Sequence, residues 1–261
     1  MVVLISGHQR SGTTMLRRLC DAHPQMRFTN EFSCFSDVGE NYSRSLFNRL
    51  AQWRLVNGRW AYNSDYVNSP RRHWHNLSFT VAYMKRLAAY DKRNITITAV
   101  ANSLSQTFPD AQVVGDKWPQ YMPLLPNLMT SKLVRVIVIY RDCRDVTSSF
   151  LEKVRTEWRS RPWAGEVDTA AKIARNWVEK IELMESLSDQ IYIIRYEELV
   201  RQPQFVLAAL GKWLGVAPDD FLQVQSVKTT SIGKYSQGLM QSELDDVLAI
   251  AGTTMARLNY I

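Results

Sequence analysis

Short apolar runs recur along the chain at Val2–Ile5, Ala111–Val114, Val134–Tyr140 and Ile191–Ile194. Val2–Ile5 is rich in β-branched residues and lacks polar alternation, the pattern of a strand buried on both faces. Arg27–Asn30 is a further short strand candidate. Between these runs the apolar spacing turns helical. A first helix spans Thr13–Ala22 and ends before Pro24, since the residue preceding a proline avoids helical geometry. Further helices are predicted over Arg44–Val56, His73–Asp91 and Asn94–Phe108, separated by polar linkers around Asn57-Gly58 and Asn68–Pro70. A long one covers Glu166–Leu187, with Ile173, Trp177, Ile181, Met184 and Leu187 on one face. Phe205–Leu214, stopped by Gly215, then Pro218–Val224 and Ser242–Leu258, with Ser242 as N-cap, complete the pattern. Strands alternating with helices predict one α/β domain in three layers, a central parallel sheet with helices on both faces.

The first strand runs into Ser6-Gly7-His8-Gln9-Arg10-Ser11-Gly12-Thr13-Thr14. Gly7 and Gly12 let the backbone turn tightly around an anion, and a helix opening at Thr13 or Thr14 points unpaired N–H groups at it. The spacing is G-x-x-x-x-G followed by two threonines, where a nucleoside-triphosphate loop would carry lysine and then serine or threonine. Arg10 is the cation available in place of that lysine. Its planar fork suits a pair of phosphate or sulfonate oxygens.

Three other strand ends carry chemistry. Arg27–Asn30 would deliver Glu31 to the carboxyl end of the sheet, where ligands bind in such folds. Asp116 and Lys117 leave the end of Ala111–Val114, where Asp116 could hold magnesium or Lys117 could meet an anion. Arg141 ends the strongest strand, and Asp145 is a plausible cap for a helix that carries Ser149 in its early turns. Arg141 and Ser149 would then form a second anion site. Structural pairing among Arg141, Asp142, Arg144 and Asp145 is the other reading, and it describes Arg144 and Asp145.

The net charge of +7 and the isoelectric point near 9.4 suit an anionic ligand without choosing its class. Three cysteines, Cys20, Cys34 and Cys143, without a CxxC pair, argue against a metal site or a disulfide framework and for a reducing compartment. His73 and His75 lack a carboxylate or thiol at ligand spacing, so no metal is expected. No stretch reaches membrane-spanning length, and with a core strand at the start of the sequence no signal peptide is expected. The aromatics Phe47, Trp53, Trp60, Tyr62, Tyr66, Trp74 and Tyr83 read mainly as core or lid, with some lining an acceptor pocket.

Arg10-Ser11-Gly12-Thr13-Thr14 resembles the phosphosulfate loop of sulfotransferases that use 3′-phosphoadenosine-5′-phosphosulfate (PAPS). Leu19-Cys20-Asp21-Ala22-His23-Pro24, continuing to Glu31, is most similar to tyrosylprotein sulfotransferases. The resemblance implies a sulfotransferase domain over 1–261, with 32–110 as a variable, acceptor-side helical region. It implies Glu31 as general base, Arg10 and Lys117 beside the transferred sulfonate, and Ser11, Gly12, Thr13 and Thr14 in the donor cradle. Arg141 and Ser149 would hold the 3′-phosphate, and Tyr196 would contact the nucleotide. Val227–Tyr235 would form a lid, with Lys228 or Lys234 on the nucleotide. The expected product is adenosine 3′,5′-bisphosphate, and the acceptor a hydroxyl of a peptide tyrosine, phenol, lipid or carbohydrate. Nucleic acid is not an expected partner, and a homodimer is. Animal tyrosylprotein sulfotransferases have a membrane anchor and lumenal disulfides, whereas this chain has Thr29 and Asp116 at the matching places, so a cytoplasmic protein is expected. The alternatives are a magnesium-dependent P-loop nucleotide kinase and a non-catalytic nucleotide-binding protein.

Overall fold

The computed structural model describes residues 1–51, 53–56, 59–62, 72–159 and 164–261, and the side chains of 52–76 lie outside the description. In chain order the elements are β1 (Val2–Gly7), α1 (Thr13–Asp21), β2 (Met26–Asn30), α2 (Tyr42–Leu50), β3 (Trp53–Val56), β4 (Arg59–Tyr62), α3 (Arg72–Leu87) and α4 (Ile97–Thr107). They continue with β5 (Val113–Lys117), α5 (Leu125–Leu128), β6 (Val134–Tyr140), α6 (Cys143–Arg155), α7 (Ala170–Ser186), β7 (Tyr192–Arg195), α8 (Tyr196–Arg201), α9 (Pro203–Leu214), α10 (Tyr235–Gly238) and α11 (Gln241–Arg257).

Five strands form one parallel sheet in the order β2-β5-β1-β6-β7. Strand alternation divides the core in two. Val2, Leu4, Val114, Val136 and Val138 face a core shared with α3, α4, α6, α7 and α11. Val3, Ile5, Val113, Ile137 and Ile139 face the core under α1, α8 and α9. Both faces are therefore dry, which is why the strands read as unbroken apolar runs. The chain leaves β1 toward β2 on one side and later crosses to β6 on the other. The loop after β1 thus sits where the connections diverge, the position at which such sheets bind ligands.

Several predicted boundaries move. The Arg44–Val56 helix ends at Leu50, and β3 pairs with β4 in an antiparallel ribbon, Val56 opposite Arg59. The linkers read at Asn57-Gly58 and Asn68–Pro70 lie outside the described residues. Ala111–Val114 starts two residues later and continues through Lys117, because β1 and β2 pair with it on both sides as far as Ile5 and Asn30. The Phe28 ring lies over Gly115, where a Cβ would meet it at 2.3 Å. Pro218–Val224 is not a helix; only a 3-10 turn, Val224–Ser226, follows. The last helix starts at Gln241 instead of after Ser242, since Glu243 reaches back to accept the Met240 N–H at 2.9 Å. No helix among the described residues is long and apolar enough to cross a membrane.

Candidate active site

The loop between β1 and α1 is shaped by three left-handed or extended positive φ values: Gly7 at 140°, Arg10 at 71° and Gly12 at 95°. A Cβ on Gly7 would meet the Ile139 carbonyl oxygen at 2.2 Å, and one on Gly12 would meet the Tyr196 ring at 2.5 Å. Both positions therefore need glycine for space as well as for conformation. No side chain caps α1. The Ser11 hydroxyl is buried and has no partner, an orphan that an oxyanion in the loop would satisfy.

Arg10 Nε donates to Ser149 Oγ at 2.9 Å, and Arg141 Nη1 donates to the Arg10 carbonyl at 3.2 Å. The two cationic positions predicted from separate strand ends are thus joined. Burial lowers the pKa of Arg10, and the neighbouring Arg141 charge lowers it further. Arg141 stacks over the Tyr196 ring at 4.6 Å, pairs with Asp145 at 3.3 Å, and donates to the Ser231 carbonyl. Its Nε is buried without a partner. The Trp177 indole fixes the Arg141 carbonyl at 2.9 Å from the α7 side.

The cap of α6 is Asp142, not Asp145. Asp142 accepts the Arg144 N–H at 2.8 Å and pairs with the Arg144 guanidinium at 2.6 Å. The helix therefore begins three residues earlier than the Asp145 cap implied, and the structural pairing read for Arg144 and Asp145 takes the form Arg144 with Asp142 and Asp145 with Arg141. Asp145, inside the first turn and buried, accepts the N–H groups of Gly233 and Tyr235 at 2.8 and 3.0 Å. It thereby docks the 227–238 segment on α6 beside Arg141. Lys228 and Lys234 in that segment are exposed, and the structure gives neither a contact to Arg10 or Arg141.

Glu31 has φ 58°, a left-handed conformation unusual for a non-glycine residue. Its N–H donates to the Lys117 carbonyl at 2.7 Å, and Lys117 Nζ donates to Glu31 Oε1 at 2.6 Å. Burial pulls the Lys117 ammonium below its ordinary pKa against the opposing pull of Glu31. Of the two readings at this strand end, the magnesium-holding role of Asp116 is the one its surroundings oppose, while Lys117 lines the cavity. Asp116 is fully buried and accepts from the Thr29 hydroxyl (2.6 Å), the Phe32 N–H (3.1 Å), the Ser33 N–H (2.8 Å) and the Tyr121 hydroxyl (2.6 Å). It anchors the turn immediately after Glu31. Arg49, buried and paired with Asp37 at 2.5 Å, binds the Phe32 carbonyl at 2.7 Å from the other side.

Arg10, Thr13, Thr14, Glu31 and Lys117 line a cavity of about 640 Å³, together with residues that sequence reasoning missed, Gln9, Asn176 and Lys180, whereas Ser11, Arg141, Ser149 and Tyr196 are not part of its lining. Its apolar wall comes from Trp118, Phe150, Trp158 and Val167. Of the aromatics singled out from sequence, Tyr83 is core and Phe47 is exposed. Trp53, Trp60, Tyr62, Tyr66 and Trp74, with His73 and His75, fall outside the residues whose side chains are described. No pattern could have found Lys180, because α7 shows only its apolar stripe in the sequence. Gln9, lying between His8 and Arg10 in the loop, was the available signal.

A sequence model described as "Sulfotransferase family" matches residues 3–220. No curated protein sequence matches the chain. Among solved structures, the fold is similar to the sulfotransferase domain from the curacin biosynthetic pathway (TM-score 0.59, 18% identity, covering 100% of this chain and 98% of that one). It is similar to the sulfotransferase domain of the Synechococcus PCC 7002 olefin synthase (0.58, 18%, 97% and 94%). A mouse sulfotransferase complexed with PAP also shares it (0.53, 10%, 98% and 84%).

Proposed function

This chain belongs to the sulfotransferase family, and on that premise we propose that it moves the sulfonate of PAPS to an acceptor hydroxyl with Glu31 as general base. The observation that carries this reading is the junction of Arg10, Ser149 and Arg141 around the β1 loop. Two cationic positions, one beyond β1 and one beyond β6, suit a nucleotide phosphorylated at both ends of its ribose, a feature ATP lacks. The orphaned Ser11 hydroxyl and Arg141 Nε fit such a ligand. Ser11, Gly12, Thr13 and Thr14 would cradle the 5′-phosphosulfate. Arg141 and Ser149 would hold the 3′-phosphate, with Tyr196 against the nucleotide and Lys228 or Lys234 closing over it.

PAPS supplies a sulfonate activated by its anhydride bond to phosphate. Glu31 takes the acceptor hydroxyl proton as that oxygen bonds to sulfur, and the sulfur–oxygen bond to the 5′-phosphate breaks, releasing adenosine 3′,5′-bisphosphate. Arg10 and Lys117 offset charge on the sulfonate and the leaving phosphate oxygen. Asp116, the acid a magnesium-dependent kinase would use, has its oxygens occupied by four protein donors, which favours the sulfotransferase reading.

The spacing from Arg10 to Glu31 supports a kinship with tyrosylprotein sulfotransferases, with residues 32–110 contributing to the acceptor side. The Thr29–Asp116 hydrogen bond spans the places where the animal enzymes carry cysteines, and Cys20, Cys34 and Cys143 are all free and buried. Both support a reducing, cytoplasmic setting.

A thermal-shift comparison tests the donor. Adenosine 3′,5′-bisphosphate should raise the melting temperature without a metal, and ATP with magnesium should not. The opposite ranking would favour the kinase. Labelled-sulfate transfer to any acceptor separates the enzyme from a silent binding protein.

A further inference from the structure

The donor chemistry accounts for two of the cations that line the cavity. Lys117 is matched by Glu31, and Arg10 belongs to the loop. Lys180 is the third, and nothing in that chemistry uses it. It stands on α7 and donates to Gln9 Oε1 at 2.9 Å. Among the described residues no carboxylate lies within ion-pair distance of it. Asn176, one turn earlier on the same helix face, lines the same cavity.

An amide oxygen is a weak counter-group for a partly buried ammonium. Burial holds Lys180 down at about 8. The fully buried His8, bonded to Asn176 and facing the Lys180 charge, is held down at about 3. The cavity's other carboxylate, Glu166, is exposed to solvent. Beside this polar corner the wall is aromatic, formed by Trp118, Phe150 and Trp158.

We propose that Lys180, with the amides of Gln9 and Asn176, forms a subsite for a carboxylate carried by the acceptor. The substrate is then a hydroxy acid whose apolar body lies along the aromatic wall with its hydroxyl at Glu31. One ammonium and two amides match a monoanion; a phosphate dianion calls for further cations or an arginine fork. This inference rests on the sulfonate-transfer reading, since it takes Glu31 as the hydroxyl's partner.

The test is binding by calorimetry to the protein saturated with adenosine 3′,5′-bisphosphate. The probes are hydroxyphenylacetate, hydroxycinnamate and a long-chain hydroxy fatty acid, each beside its primary amide. The acid should bind about ten- to a hundredfold more tightly than its amide, as expected for a charge-assisted hydrogen bond. Lys180→Met should erase that difference and leave the bisphosphate affinity unchanged, while Lys180→Arg should retain the preference. Equal affinity for acid and amide, or no binding of any acid, overturns the proposal. So does a Lys180→Met protein that keeps the preference, or one that loses bisphosphate affinity, which would assign Lys180 to the donor. If Lys180→Met does not fold, the wild-type comparison and Lys180→Arg still decide. Failure of the bisphosphate itself to bind is read before any acceptor is added, and it counts against sulfonate transfer instead.

Discussion

Lys117 Nζ lies 2.6 Å from Glu31 Oε1, with the lysine side chain 1% exposed and the glutamate 45%. A buried cation therefore orients a carboxylate that stays open to the cavity. One oxygen is engaged, and the other remains available to an incoming hydroxyl.

Glu31→Gln keeps the shape and a hydrogen-bonding group but removes the proton acceptor. Turnover should fall by about 10²–10⁴-fold, the usual contribution of a general base, with bisphosphate affinity unchanged by calorimetry. Turnover equal to wild type would remove Glu31 from the mechanism.

Asp116 accepts four hydrogen bonds, two of them from the backbone of the turn after Glu31. Asp116→Asn replaces one acceptor oxygen by a donor and leaves at least one buried group unsatisfied. It should cost about 1–3 kcal/mol of stability in urea unfolding and lower kcat more than it raises KM. Tyr121→Phe removes only one of the four donors and should cost less on both measures. An Asp116→Asn enzyme with normal kcat would show that the turn holds Glu31 without this anchor.

Gly12 has φ 95° and sits under the Tyr196 ring. Gly12→Ala brings a Cβ to 2.5 Å from that ring and adds backbone strain of about 1–3 kcal/mol. Because Tyr196 in turn carries Arg141 on its other contacts, bisphosphate affinity should fall at least tenfold. Gly165→Ala, where a Cβ has open space, is the control and should bind normally.

His8 is buried and held down at about 3, chiefly by desolvation and then by the Lys180 charge. In the unfolded chain it titrates near 6.5, so below that pH the unfolded state binds a proton that the native state does not. Stability is therefore fully present above about pH 6.5 and declines as pH falls toward 3, by up to about 1.4 kcal/mol per pH unit from this residue. Urea unfolding at pH 7 and pH 4.5 should show a smaller acid loss for His8→Asn than for wild type. Equal losses would mean that other groups govern acid stability.

The fold was legible where burial on both faces leaves no room for polar alternation. Val2–Ile5 and Val134–Tyr140 announce central strands, and Gly7 and Gly12 announce the turn that an anion needs. The ribbon of Trp53–Val56 with Arg59–Tyr62 was not, because a short two-stranded element shares its apolar content with a helical pattern. The helix start at Asp142 was missed because two aspartates stand within three residues of each other. Which one caps is set by where β6 ends.

What the chain determined on its own is local: strands from unbroken β-branched runs, a glycine-bounded loop with arginine in place of lysine, and carboxylates and cations placed at strand ends. Only the tertiary structure decided what those charges meet. Asp116 becomes a buried anchor because Thr29, Phe32, Ser33 and Tyr121 converge on it, and Arg141 reaches Arg10 because β6 pairs beside β1. Lys180 enters the site because α7 crosses over the loop. The physical reason is that a charged side chain's role follows from its desolvation and its partners, and both come from residues far away in sequence.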